Sequence, residues 1–94
     1  MNKAQLKVEG GKLIKVQLEI ENKKIKKVKI TGDFFLHPEE LIDDMEKAVA
    51  GAMLDEKVIA DRIKEFILKN KAVLLGASPE DFARCIVMAG VGNG

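Results

Sequence analysis

The residues able to do chemistry in this sequence are few and scattered. It holds one histidine, His37, one cysteine, Cys85, and two arginines, Arg62 and Arg84. His37 stands directly before Pro38, ahead of a helix start, where a histidine serves as an exposed cap more often than as a general base. Cys85 falls on the inward phase of the last helical pattern. Its neighbour Arg84 points about 100° away on a helix and does not activate it. A lone cysteine with a lone histidine makes neither an internal disulfide nor a cluster of metal ligands. Gly10-Gly11-Lys12 has the composition of a phosphate cradle, but it lacks P-loop spacing and precedes a strand where such a loop precedes a helix. Asp43 and Asp44, though adjacent, diverge on a helix, so no carboxylate pair is set up for acid-base work. The expectation is a chain with no catalytic residue and no metal site of its own.

The elements that position these residues follow from hydrophobic spacing. Ile14, Val16, Leu18 and Ile20 alternate with Lys15, Gln17, Glu19 and Glu21, the period of a strand with one face in the core. Asn22-Lys23-Lys24 is a polar turn, after which Val28 and Ile30 resume the alternation, so residues 12–32 read as a hairpin. Ile25 is out of phase, which a bulge or a turn residue packing over the hairpin end would explain. Upstream, Ala4, Leu6 and Val8 alternate with Gln5 and Lys7, and Glu9-Gly10-Gly11 supplies a tight reversal, completing an antiparallel meander.

From Asp33 the pattern changes. Asp33-Phe34-Phe35-Leu36-His37 is too short and too unbroken for an amphipathic strand, and Pro38-Glu39-Glu40 reads as the opening of a helix with proline at its first position. Leu41, Ile42, Met45, Ala48, Val49 and Ala52 give that helix its apolar stripe, and it ends or breaks near Gly51. Asp55 caps a second helix with the stripe Val58, Ile59, Ile63, Phe66 and Ile67, closed by Asn70 and Lys71. Residues 72–75 are an apolar run that fits a buried strand or a packed connection equally. Ser78-Pro79-Glu80-Asp81 opens a third helix with a capping serine and an acid three residues on, and Phe82, Cys85, Ile86 and Ala89 face inward. The tail from Gly90 to Gly94 has no local preference and is expected to fray. Strands followed by helices describe an α+β fold: a three-stranded antiparallel meander with about three helices packed on one face.

Composition sets the outer limits. Ninety-four residues, 47% hydrophobic and 33% charged, describe one folded domain over residues 1–94. No apolar run approaches the roughly 18 residues of a membrane helix, and the first residues lack the apolar core of a secretion signal, so the expected location is the cytoplasm. The net charge of +1 conceals a division, since residues 1–31 hold nine lysines against three glutamates and the remainder is net acidic. A solvated, lysine-studded sheet face accounts for this, and a basic surface for an anionic partner would too. Nucleic-acid reading is not expected: tyrosine and tryptophan are absent, arginine is scarce, and no aromatic residue lies before Phe34 to stack on a base. Adjacent Phe34 and Phe35 offer two readings. One seals the sheet-helix corner while the other packs on its own helix, or they form an exposed apolar anchor for a protein partner.

Three strings then carry a resemblance: Lys7-Val8-Glu9-Gly10-Gly11-Lys12-Leu13-Ile14, Ile30-Thr31-Gly32-Asp33-Phe34-Phe35-Leu36-His37-Pro38-Glu39-Glu40, and Gly76-Ala77-Ser78-Pro79-Glu80-Asp81-Phe82. With the hairpin between the first two, they resemble the carboxy-terminal accessory domain of lipoate-protein ligases over nearly the whole chain. The second string is the specific one. In many such ligases this domain follows a large catalytic domain. Here the chain starts at its own methionine and stops at 94 residues, so it is similar to the separate small subunit of the split, archaeal type.

The resemblance implies a two-step ligase that converts lipoate and ATP to lipoyl-AMP and pyrophosphate, then passes the lipoyl group to a lysine of an acceptor. The acceptors would be the E2 component of a 2-oxoacid dehydrogenase or the glycine-cleavage H protein. ATP, magnesium and lipoate would bind at the large catalytic subunit, the implied partner, and none of them to this chain alone. The small subunit would be needed chiefly for adenylation. Gly10, Gly11, Lys12, Thr31, Gly32, Asp33, Phe34 and Phe35 lie in the family strings and are the expected contact surface. The family fold is also similar to that of iron-sulfur scaffold and sulfur-acceptor proteins, which use several cysteines or an exposed one, whereas Cys85 reads as a core residue. The alternative function is a stand-alone module whose basic hairpin meets nucleic acid or another acidic partner.

Overall fold

The computed structural model describes residues 2–8, 10 and 12–91. Glu9 and Gly11 of the first reversal, and Gly92 to Gly94 of the tail, lie outside the described residues. Three strands, β1 (Asn2–Lys7), β2 (Leu13–Glu21) and β3 (Lys24–Gly32), form an antiparallel sheet in that order. Ile14, Val16 and Leu18 turn inward from β2, and Val28 and Ile30 oppose Leu18 and Val16 across the ladder. Asn22 and Lys23 carry φ of 54° and 64°, both positive as a two-residue primed turn requires, so the hairpin twists with its strands. The register slips between Glu19, which pairs with Lys27, and Ile20, which pairs with Ile25. Lys26 is the extra residue of a bulge, which lets Ile25 and Val28, three apart, both reach the core.

The opposite sheet face is polar apart from Leu13 at the start of β2. Lys3, Gln5 and Lys7 on β1, Lys15 and Gln17 on β2, and Lys27, Lys29 and Thr31 on β3 all stand exposed. The charge division of the sequence is thus one wet face of the sheet.

Three helices cover the inner face: α1 (Leu41–Val49), α2 (Glu56–Lys69) and α3 (Pro79–Gly90). α3 lies over β1 and β2, α1 lies against β3, and α2 packs on both α1 and α3. The core between them includes Met45, Val49, Ile59, Ile63, Phe82, Cys85 and Ile86, all fully buried. The expected caps are present. Asp55 Oδ2 accepts from Val58 N at 3.0 Å, and Ser78 Oγ accepts from Asp81 N at 3.2 Å while Asp81 Oδ2 accepts from Ser78 N at 3.0 Å. Arg62 serves the fold: its guanidinium donates to the carbonyls of Ala48 and Ala50 at 3.4 and 3.3 Å, satisfying the end of α1. Glu46 of α1 ties helix to sheet, accepting from Ile30 N at 2.7 Å.

Three expectations need correction. Pro38 does not open α1. The N–H groups of Leu41 and Ile42 reach the carbonyls of Pro38 and Glu39 at 3.1 Å each, a tight turn that delays the helix until Leu41 and leaves Asp43 and Asp44 as its first-turn acids. Residues 35–37 are not a plain connection but a strand, β4 (Phe35–His37), antiparallel to β5 (Val73–Leu75). That pairing also settles residues 73–75 as strand; a run of three residues has no period to read, and its partner lies far away in sequence. Gly90, grouped with the fraying tail, is the last residue of α3, and its Cα packs against the Leu54 side chain.

Candidate partner interface

The three strings that carry the family likeness meet in space at the end of the sheet where β3 runs out. Asp33 makes the first junction: its N–H donates to the Leu13 carbonyl at 2.8 Å, and its Oδ2 accepts from Leu13 N at 3.3 Å. The carboxylate therefore closes the ladder between β2 and the end of β3. Gly32 makes the crossing feasible. Its φ is +148°, and a Cβ there would sit 2.2 Å from the Leu13 carbonyl oxygen. Gly76, with φ of +89°, makes the second junction. A Cβ on it would stand 3.4 Å from Phe34 Cα and 3.7 Å from Lys12 Cγ, so the lysine stem and the Phe34 backbone both lie against this glycine. The first reversal closes through Val8 N donating to the Lys12 carbonyl at 2.8 Å, with Gly10 at φ of +92° in the turn.

The two phenylalanines separate. Phe34 is half-buried and meets Phe82 edge-on, with ring centroids 4.8 Å apart at 86°, so it seals the corner between sheet and α3. It is not an exposed anchor. Phe35 points outward, 47% exposed, with its ring parallel to that of His37 at 6.1 Å. Behind it, Thr31, Phe34, Glu39 and Ile42 help line a shallow groove of about 280 Å³. Thr31 and Lys12 are exposed. Of the eight expected contact residues, then, Lys12, Thr31 and Phe35 present side chains at one end of the molecule. Gly10, Gly32 and Asp33 shape the backbone there, Phe34 supports it from inside, and Gly11 lies outside the described residues.

Sequence reasoning missed the residues beside Phe35. On β5, Val73 and Leu75 are exposed on the same side of the small sheet. The only sequence signal was the apolar run itself, which reads as core in isolation.

Of the groups with chemical potential, Cys85 lies elsewhere and His37 stands beside Phe35. Cys85 is fully buried with Sγ 3.9 Å from the Ile14 carbonyl, and burial pushes its thiol up to about 11, opposite to what a nucleophile requires. His37 is exposed on β4 and not a helix cap. Among the described residues no group of three or more His, Cys, Asp or Glu side chains could hold a metal ion, and no helix is long and apolar enough to cross a membrane.

The family model of the bacterial lipoate protein ligase C-terminus matches residues 2–86 of this chain. The chain belongs to that family. A second finding agrees: the chain is 36% identical over 75 residues to subunit 2 of lipoate-protein ligase A from Thermoplasma acidophilum, covering 79% of this chain and 76% of the relative. Its fold matches a chain from a structural study of an archaeal lipoylation system, a bipartite lipoate protein ligase and its E2 lipoyl domain from the same organism. That match has a TM-score of 0.74 at 32% identity and covers 89% of this chain and 91% of the other. In this carboxy-terminal ligase domain, the family strings are those that build the junction at Leu13, Asp33 and Gly76.

Proposed function

We propose that this chain is the small, accessory subunit of a two-chain lipoate-protein ligase, acting with a large catalytic subunit in ATP-dependent formation of lipoyl-AMP. The lipoyl group then passes to a lysine of an acceptor such as the lipoyl domain of an E2 component or the H protein. The observation that carries the reading is the similarity to subunit 2 of a bipartite ligase over most of both chains. The geometry supports it. The family residues come together at one end of the fold as a shaped backbone with an outward aromatic, Phe35. That is the material of a docking surface. Among the eight expected contact residues, Asp33 is the one carboxylate and is engaged by a backbone N–H, and Lys12 is the one cation. Such a set does not fit a magnesium or nucleotide site complete in this chain, so in this reading ATP, magnesium and lipoate bind on the large subunit.

The mechanism that follows is organisational. Docking of Lys12, Thr31, Phe35 and the backbone around Gly10, Gly11, Gly32 and Asp33 would order loops of the large subunit around ATP, so that interface energy shifts the catalytic chain toward its adenylating arrangement. Titrating this chain into the large subunit with lipoate and ATP tests the proposal through pyrophosphate release. The expected result is a saturable rise in rate; a rate independent of this chain, with no association, rejects it. The lysine-bearing outer sheet face is the basis of the competing reading as a basic binding module. In that case binding to an acidic partner would weaken steeply with salt, whereas docking centred on Phe35 would not.

A further inference from the structure

The two-stranded sheet β4–β5 has an inner and an outer side. Leu36 and Leu74 oppose each other on the inner side, and Leu36 is buried in the core. On the outer side Phe35 pairs with Leu75, and His37 with Val73. In a surface sheet these outward positions ordinarily hold polar residues. Here three of the four are apolar, with Phe35 and Val73 each 47% and Leu75 57% exposed. Beside this sheet Leu68 of α2 stands 78% exposed at the edge of a groove of about 430 Å³, walled largely by Ile67, Leu74, Ala77 and Pro79. Single exposed apolar side chains are ordinary, but three neighbouring ones on one face of a small sheet mark an interaction surface.

We propose that the outer face of β4–β5, with the Leu68 groove beside it, is the surface that docks the large catalytic subunit, so that Val73, Leu75 and Leu68 join Phe35 as its apolar anchors. The inference rests on the reading of the chain as an accessory subunit and extends the interface beyond the residues of the family strings. Two observations select this occupant over a second copy of the chain. First, the face is continuous with the family residues: Phe35 belongs to it, and β5 leads directly into Gly76, against which Lys12 and Phe34 lie. Second, the structural relative with the same fold comes from a ligase made of two parts. An apolar centre is the composition of a lasting subunit interface.

The test uses the complex of this chain with the large subunit. The Leu68→Ala/Leu75→Ala double variant and the shape-preserving Val73→Thr variant are compared with wild type by calorimetric titration and by the chain concentration giving half-maximal lipoyl-AMP formation. Met53→Ala is the control, because Met53 is exposed but bridges to Lys24, at the opposite end of β3 from β4. The expected result is a loss of affinity of about 30-fold or more for the double variant and a smaller loss for Val73→Thr, with the saturating rate retained. Met53→Ala should bind as wild type. Wild-type affinity in both the double variant and Val73→Thr overturns the inference, as does a wild-type homodimer that the double variant reduces to monomer. If wild type itself neither binds nor stimulates the large subunit, the subunit reading fails, and this inference falls with it.

Discussion

Phe34 and Phe35 are adjacent and chemically identical, yet the structure gives them different surroundings, and truncating each in turn separates their expected effects. Full burial makes Phe→Ala cost about 3–5 kcal/mol. Phe34 is half-buried, and its edge-on contact with Phe82 is itself worth about 0.5–1.5 kcal/mol, so Phe34→Ala should cost about 2 kcal/mol. For a domain of this size that lowers Tm by roughly 8–16 °C. A stability of about 0.05–0.15 kcal/mol per residue implies about 5–14 kcal/mol in total, so the variant stays folded at room temperature and its binding can still be measured. Phe35, 47% exposed with its ring outward, should cost about 1 kcal/mol or less in stability when cut to alanine. As an anchor it should instead cost about 2 kcal/mol in binding, some 30-fold in Kd for the large subunit. Thermal melts followed by circular dichroism give the first quantity and calorimetric titration the second. The reasoning is refuted if Phe35→Ala melts as early as Phe34→Ala, or if it leaves the affinity unchanged.

Other consequences follow from single features. Gly32→Ala forces a Cβ onto the Leu13 carbonyl at a positive φ; combining about 1–3 kcal/mol of backbone strain with a similar overpacking term predicts a loss of about 2–6 kcal/mol, read from the denaturant midpoint. Ser78→Ala removes half of the α3 capping box and should cost about 1 kcal/mol, shifting the midpoint with an unchanged m-value. Burial holds the Glu46 carboxyl above its ordinary value of 4.5, outweighing the bond from Ile30 N. The protonated form is thus favoured by folding, and its contribution is complete below pH 4.5 and lost as pH rises through the raised value. Glu46→Gln keeps an acceptor for Ile30 N without ionising, so its stability relative to wild type should rise between pH 4 and pH 7; a flat or opposite trend in denaturation contradicts the assignment. Cys85, with its thiol pushed up to about 11 inside the core, should resist alkylation at pH 8 in the native chain and react fully in denaturant, which mass spectrometry reads directly.

The legible parts of the fold were those whose cause is local. The alternation Ile14, Val16, Leu18 defines β2 because a strand repeats every two residues, and Ser78-Pro79-Glu80-Asp81 defines the start of α3 because a cap needs only its own turn. The out-of-phase Ile25 marked a bulge or a turn residue packing over the hairpin end, and the register decides for the bulge at Lys26. The parts that escaped depend on distant partners. Strand β4 exists because β5 lies beside it, and nothing within Phe35-Leu36-His37 specifies that pairing. The delayed start of α1 reflects turn bonds to the carbonyls of Pro38 and Glu39, which the helix-opening signature of Pro38 overrode in the sequence. At the candidate interface the same division holds. The family strings marked Gly32, Asp33 and Phe35, but only the three-dimensional path shows that Gly32 must pass over the Leu13 carbonyl, or that Val73 and Leu75 come to the surface beside Phe35.

The central claim is that this chain is needed for adenylation, and separating the two half-reactions tests it most directly. Lipoyl-AMP formed from lipoate and ATP is quantified with the large subunit alone and with both chains, and transfer to an acceptor lipoyl domain is then measured from supplied lipoyl-AMP. The account predicts that lipoyl-AMP accumulates only when both chains are present, while transfer from supplied lipoyl-AMP depends far less on this one. Equal lipoyl-AMP formation by the large subunit alone would contradict it.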